Sequence, residues 1–298
     1  MNKLLASIIV PVYNGERTIG TCLESLLDQT YPRERYEIIV VDNGSTDNTR
    51  ELIKKYPVRM TLEDEIRGSY AARNAGIKNA EGEIFAFTDA DCIADPNWIE
   101  EGVKHLIESK ADLVGGKVEF VYNRRSPAEL YDSITNMQNE YEIKENKIAK
   151  TANLFVKPCV FEGIGLFPKN LISGGDVIWT QRATSNGYKL AYAEGAIVKH
   201  PARGLSSLAK KHYRVGKAHY IIWLSGGKQK EELIKGLLSF LPPRLRTIKE
   251  LIEKRGTPDM KKRLAGIWFA ATVVRLTEGV GRFSSMIRRG KGRKDASL

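Results

Sequence analysis

The sequence predicts an α/β chain built on a mostly parallel, Rossmann-like sheet flanked by helices, with a C-terminal helical appendage. Three observations carry this expectation. Short apolar, β-rich runs alternate with segments of helical periodicity through the first 121 residues, the order of a parallel sheet with crossover helices. Two of these runs stop abruptly at carboxylates, Asp42 and Asp89, and the ligand crevice of an open α/β sheet lies outside the carboxyl ends of its strands. The charge is also uneven. Of a net +11 over 298 residues, residues 225–298 hold 18 Lys/Arg against 7 Asp/Glu, so the whole surplus sits there and residues 1–224 are neutral. A hydrophobic content of 42% is ample for a core.

Taken in order, Ser7 to Val12 reads as the first strand and Glu16 to Gln29 as a helix with Ile19, Leu23, Leu26 and Leu27 on one face. The apolar N-terminus runs into Pro11 without a small-residue cleavage site, so it is read as strand and not as a signal peptide. Tyr36 to Val41 is the second strand. Asp42-Asn-Gly-Ser-Thr-Asp47 then supplies a turn and capping residues for a helix through Lys55. A third strand spans Val58 to Leu62, a helix Tyr70 to Ala80, and the central strand Ile84 to Thr88. Pro96 to Ser109 is helical and Asp112 to Val121 another strand. Pro127 to Lys150 has helical spacing, with Tyr131, Ile134, Met137 and Tyr141 as a buried stripe that reads as packing. Cys22, Cys92 and Cys159 are widely spaced, which argues against a disulfide framework or structural zinc and for a reducing, cytoplasmic setting.

Asp89 and Asp91 end the central strand two residues apart. Paired carboxylates repel unless a cation sits between them, and oxygen ligands suit Mg²⁺ or Mn²⁺ carrying a substrate's phosphates. Helix capping is the alternative; it accounts for Asp95 before Pro96 but not for Asp89, which lies too far upstream.

Four segments together resemble the successive motifs of family 2 glycosyltransferases with the GT-A fold: Ser7-Ile-Ile-Val-Pro-Val-Tyr-Asn14, Val40-Val-Asp-Asn-Gly-Ser-Thr-Asp47, Arg73-Asn-Ala-Gly76 and Phe87-Thr-Asp-Ala-Asp91. The resemblance runs in family order over residues 5–200. It implies an inverting, metal-dependent transfer from a nucleotide-diphospho-sugar, most simply UDP-linked, to a hydroxyl of a glycan or lipid-linked acceptor. Pro11 and Tyr13 would border the nucleotide's base and ribose, and Asp42 would accept from the uracil edge. Core packing is the alternative for Tyr13 and turn formation for Asp42. Arg73 suits a diphosphate, with a solvated helix charge as its alternative. Asp176, in Leu171-Ile-Ser-Gly-Gly-Asp-Val-Ile-Trp179, matches the family's loop bearing the catalytic base, although Gly175 replaces the commoner preceding acid; a helix N-cap is its alternative. His200 matches a further metal ligand beside Asp89 and Asp91, with a purely structural histidine as its alternative. Arg214, in Lys210-Lys-His-Tyr-Arg-Val-Gly-Lys217, loosely matches a residue that steadies the leaving diphosphate, while Lys211 and Val215 replace the glutamine and tryptophan of processive members. The resemblance divides the chain into a catalytic domain at 1–225, with a nucleotide-binding half at 1–121 and an acceptor half at 122–225, and a tail at 226–298.

The tail itself carries no family motif. Leu233 to Leu241 is apolar around Lys235, Pro242-Pro243 interrupts it, and Leu264 to Val274 has eleven uncharged residues, fewer than the roughly 20 a spanning helix needs. Leu264, Ile267, Trp268, Ala271 and Val274 share one helical face, and Arg275, Arg282 and Arg289 recur every seven residues on another. This pattern suits an amphipathic helix on an anionic membrane surface, at the cytoplasmic face, or a helix docked on the catalytic domain with a solvated basic face. Two other function classes are weaker. A nucleotidyltransferase would bring a glycine- and lysine-rich phosphate loop near its N-terminus, and a basic nucleic-acid-binding protein would bring a recognisable binding motif; neither is visible, and no nucleic-acid partner is expected.

Overall fold

The computed structural model describes residues 4–225 and 238–294, with the backbone alone for 219–225 and 287–294. The chain forms two compact units. Unit 1 comprises Met1–Val121, Met137–Leu171 and Gly175–Pro201; unit 2 comprises Tyr122–Asn136, Ile172–Gly174 and Ala202–Leu298.

Unit 1 is a mixed sheet of eight strands with helices against it. In chain order its elements are β1 Ala6–Val12, α1 Ile19–Leu27, β2 Tyr36–Asp42, α2 Thr49–Ile53, β3 Arg59–Leu62, α3 Ser69–Lys78, β4 Ile84–Thr88, β5 Ile93–Ala94, α4 Trp98–Glu108 and β6 Leu113–Val121. After α5 Pro127–Thr135, which belongs to unit 2, come α6 Asn139–Tyr141, β7 Asn153–Val156, α7 Pro158–Ile164, α8 Gly175–Ser185 and β8 Leu190–Pro201. The strand order is β3-β2-β1-β4-β7-β6-β8-β5. The first four strands are parallel, β7 runs antiparallel to β4 and β6, and β6 pairs parallel with β8. The expected mostly parallel GT-A type sheet is therefore present.

Along β1, β2, β4 and β7 both faces of the sheet are dry, which is why these central strands read as unbroken apolar runs. Along β1, Ile8 and Val10 point to a core shared with α1, β2 and α4, while Ile9 points to the opposite core under α3. The pairing of β6 with β8 slips between Gly116 and Lys117. The side chain of Asn153, fully buried on β7, occupies this irregularity: its amide donates to the carbonyls of Lys117 and Ala196 at 2.8 Å each and its oxygen accepts from the Trp98 indole at 2.8 Å. Backbone groups that the slip would leave unpaired are thereby satisfied.

The single helix expected over Pro127 to Lys150 is broken. α5 ends at Thr135, Met137 takes a left-handed φ of 53°, and after α6 a five-residue π turn, Glu142–Asn146, leads to Lys147 at φ 57°. Asn139 explains the interruption. Its buried amide donates to the carbonyls of Gly116 and Asn153, and its oxygen accepts from the Lys150 amide, contacts a continuous surface helix would not offer. Tyr141, expected in a buried stripe, is exposed.

Unit 2 is helical: α5, α9 Leu205–Ser225, α10 Leu245–Arg255, α11 Pro258–Lys262 and α12 Leu264–Lys294. Here the expected membrane face needs correction. Ile267 and Ala271 are fully buried with Leu130, Ile134, Ile248, Ile252 and Met260, Val274 is buried beside Leu208, and the Trp268 indole donates to the Pro243 carbonyl at 2.8 Å. Arg275 donates to the Leu238 carbonyl at 2.8 Å and Arg282 is paired with Glu278, so neither forms part of a free basic stripe. The stripe faces the unit's own interior because α5 and α10 offer apolar partners for it. Against α9 the approach is close enough that a Cβ at Gly281 would lie 2.2 Å from the Tyr213 carbonyl. The Arg289 side chain and the segment from Leu233 to 237 lie outside the described residues. Among the described residues no helix is long and apolar enough to cross a membrane.

Candidate active site

β4 delivers Asp89 to the carboxyl end of the sheet, with Asp91 two residues beyond. The chain then turns into β5, which pairs antiparallel with β8, Ile93 opposite Lys199 and Ala94 opposite Val198. That short pairing brings together residues 109 positions apart: His200 Nε2 lies 3.5 Å from Asp91 Oδ2. One ligand atom from each of Asp89, Asp91 and His200 lies within 4.8 Å of the others. His200 is fully buried and edge-on to Phe120, with ring centroids 5.8 Å apart, so packing holds the imidazole in place. Two carboxylates and one imidazole form a donor set that fits a divalent cation. The neighbouring Cys22 and Cys92 do not add to it. Burial first, then the field of Asp89 and Asp91, pushes both thiols up and keeps them protonated.

Behind this cluster stands α3. Arg73, only 3% exposed, is ion-paired with Asp89. Three residues earlier on the same helical face, Tyr70 places its ring centroid 5.7 Å from the Arg73 guanidinium carbon. The Tyr70 hydroxyl donates to Asp176 Oδ1 at 3.0 Å, an oxygen that also accepts from the Val177 amide at 3.0 Å. Asp176 Oδ2 accepts from the Thr151 amide at 3.4 Å. Burial, and then the Asp176 charge, pushes the Tyr70 hydroxyl well up, so it acts as a donor only. Asp176 sits in the first turn of α8, where the helix dipole favours a carboxylate. The glycine before it now has a physical reason: a Cβ at Gly175 would lie 2.7 Å from the Tyr70 ring. Tyr70 occupies the space a larger residue would need.

At the ends of β1 and β2 the expected nucleotide-side residues divide. Tyr13 is 54% exposed, which removes the core-packing reading, and the Arg67 guanidinium lies 4.8 Å from its ring centroid. Arg67 also donates to the Asn43 carbonyl at 3.1 Å. Pro11 is buried within β1 opposite Val41. Asp42 has no exposed surface. Arg50 Nε donates to its Oδ2 at 2.6 Å, and the Ser45 amide lies 3.1 and 3.3 Å from its two oxygens, so this carboxylate shapes the turn that follows it. Arg214 is exposed on α9, in unit 2.

The structure thus brings Asp89, Asp91, His200, Arg73 and Asp176 into one connected set through Tyr70. Tyr70, Arg67 and Arg50 were missed from sequence. Only Tyr70 carried a usable signal there, its spacing of three from Arg73.

Sheet and site together define the class: a GT-A type glycosyltransferase using a nucleotide-sugar donor. The model of the family described as Glycosyl transferase family 2 matches residues 7–166, and the chain belongs to that family. It is 42% identical to Glycosyltransferase AglE of Haloferax volcanii over 292 residues, covering 95% of this chain and 96% of the relative. A Methanococcus voltae relative, named as a dolichyl N-acetyl-α-D-glucosaminyl phosphate 3-β-D-2,3-diacetamido-2,3-dideoxy-β-D-glucuronosyltransferase, is 27% identical over 73% of this chain and 76% of its own length. Among solved structures, the mannosyltransferase PcManGT from Pyrobaculum calidifontis, in complex with GDP-Man and Mn²⁺, superposes with a TM-score of 0.58 at 20% identity, covering 100% of this chain and 77% of that one. At that identity the likeness is one of fold.

Proposed function

We propose that this glycosyltransferase works by inversion, with a sugar carried on UDP and an acceptor hydroxyl on a glycan or a lipid-linked glycan. The observation that carries the reading is the connected set from Asp176 through Tyr70 and Arg73 to Asp89, Asp91 and His200. Mn²⁺ or Mg²⁺ held by Asp89, Asp91 and His200 would supply positive charge to the donor's diphosphate. Arg73 holds the Asp89 carboxylate in place and adds charge behind it.

Asp176 takes the proton of the acceptor hydroxyl as that oxygen attacks the anomeric carbon from the face opposite the diphosphate. The bond from that carbon to the diphosphate oxygen breaks, and its electron pair leaves with the nucleotide. A single displacement inverts the configuration. Tyr70, donating to Asp176, orients this carboxylate in the ground state. Tyr13 and Arg67 offer an exposed aromatic and guanidinium surface for the base and ribose, with Pro11 supporting them from the strand and Asp42 shaping the adjoining turn. The role expected of Arg214 rests on the family resemblance alone.

In this reading residues 1–121 serve the nucleotide, residues 122–225 serve the acceptor, and residues 226–298 are an appendage. The three unpaired cysteines suit a reducing, cytoplasmic setting. The resemblance of the chain to a relative named for a dolichyl-linked acceptor favours a lipid-linked one here. A thermal-shift screen of nucleotide-sugars with and without Mn²⁺ tests the reading: one UDP-sugar raises Tm only when the metal is present. Equal stabilisation by every donor in the presence of chelator would overturn it.

A further inference from the structure

The face of α12 opposite its buried stripe is apolar as well. Phe269, Leu276, Val280 and Phe283 follow one another at steps of seven, four and three residues, which on a helix fall along one line, and all four are exposed, Phe269 by 58%. The segment from Leu238 to Pro243 lies along the flank of this line. Arg275 donates to the Leu238 carbonyl, Trp268 donates to the Pro243 carbonyl, and a Cβ at Gly279 would lie 3.4 Å from the Phe240 ring. Leu238, Phe240 and Leu241 are exposed too, and Leu245 follows, exposed between the exposed Arg244 and Arg246. Large apolar side chains gathered in this way differ from the single exposed ones that any soluble surface carries. Phe269 also lines a groove of about 540 Å³ walled by Pro127, Ala128, Leu205, Gly266 and Ala270.

We propose that this surface of unit 2 docks on an anionic lipid bilayer. The chemistry selects that occupant in two ways. Arg244 and Arg246 flank the exposed Leu245, Arg246 also pairing with Glu250 at 2.9 Å, and residues 225–298 carry the whole of the sequence's positive surplus. Phe269, Leu276, Val280 and Phe283 enter the acyl boundary while the arginines stay at headgroup level, the arrangement of an interfacial helix. Docking of this kind is interfacial, with the helix lying in the plane of the headgroups. The inference rests on the functional reading above only in that a lipid-linked acceptor would be met on the same surface.

Sedimentation of the full chain with vesicles tests it, using phosphatidylcholine alone and phosphatidylcholine mixed with phosphatidylglycerol. The wild type pellets with the mixed vesicles. Leu241→Asn/Phe269→Asn/Phe283→Asn, altering side chains that are already exposed, binds them at least about tenfold more weakly. Arg244→Glu/Arg246→Glu loses the preference for anionic vesicles, and all three proteins hydrolyse a nucleotide-sugar in lipid-free solution at the same rate. Equal wild-type binding to neutral vesicles overturns the inference, as does undiminished binding by the triple variant. A lipid-free dimer that the triple variant dissociates would assign the surface to a second copy instead. Vesicle binding without donor hydrolysis would count against the transferase reading and leave this surface standing; hydrolysis without vesicle binding would do the reverse.

Discussion

Asp42 and Asp89 stand in matching places, each at the carboxyl end of a parallel strand next to β1, yet they are put to different uses. Asp42 is sealed: it has no exposed surface, Arg50 covers one oxygen, and the Ser45 amide binds both. Asp89 keeps 28% of its side chain open, and its neighbours are one buried cation, Arg73, and two further ligand atoms from Asp91 and His200. Strand topology brings a carboxylate to the crevice; whether it closes a turn or receives a ligand depends on the side chains that arrive from elsewhere. A guanidinium from the next helix neutralises Asp42 locally. At Asp89 a second carboxylate and a buried imidazole arrive beside the first, a donor set that fits a divalent cation.

The sharpest way to break this comparison is to remove one charge from each place. Asp91→Asn keeps the shape and loses a ligand charge, so turnover should fall by about 10³-fold and lose its dependence on Mn²⁺, while circular dichroism stays native. Asp42→Asn should leave that metal dependence intact. If both variants lost metal-dependent turnover alike, the distinction between a sealed and an open strand end would be wrong.

Next in size is Asp176→Asn, for which turnover should drop by about 10²-fold with donor-induced thermal shifts unchanged. Loss of donor affinity together with turnover would move Asp176 into the donor site. A smaller effect, about tenfold in turnover, is expected for Tyr70→Phe, which removes one hydrogen bond to Asp176 without changing volume. Gly175→Ala should resemble it, because the added methyl must displace the Tyr70 ring. In the double variant the two losses should be less than additive, which a double-mutant cycle on turnover would measure. Full additivity would show that Gly175 and Tyr70 act separately.

The smallest effect on activity should come from Arg50→Met, which strips the partner from a fully buried carboxylate. A lowered Tm with near-normal turnover is the expected pattern, since an uncompensated buried charge costs stability. A large loss of turnover at unchanged Tm would mean that Arg50 meets the donor directly.

Much of this was legible in the chain. The central strand, read from its apolar run and terminal carboxylates, has its expected ends at Ile84 and Thr88, and β1, β2 and β6 lie within one residue of theirs. Both-face burial makes such strands continuous apolar words in the sequence, which local chemistry is enough to detect. The two-residue β5 is not legible in this way: it exists because β8 lies beside it. The helix expected at Pro127 to Lys150 is broken for a related reason: the buried amide of Asn139 serves carbonyls on β6 and β7 and wins over local propensity.

By itself, then, the sequence determined the alternation of strand and helix, the carboxylates at the strand ends, and the confinement of the basic surplus to the last quarter, because each is written in neighbouring residues. Only the tertiary structure decided that His200 meets Asp91, that Tyr70 ties Asp176 to Arg73, and that Arg50 closes Asp42. It also decided which side of α12 is uncovered. Periodicity found one apolar face at Ile267, Ala271 and Val274, but α5 and α10 bury that face and leave Phe269, Leu276 and Phe283 outside. A hydrophobic pattern states that a face prefers to leave water; which partner covers it is a property of distant segments, and those meet only when the chain has folded.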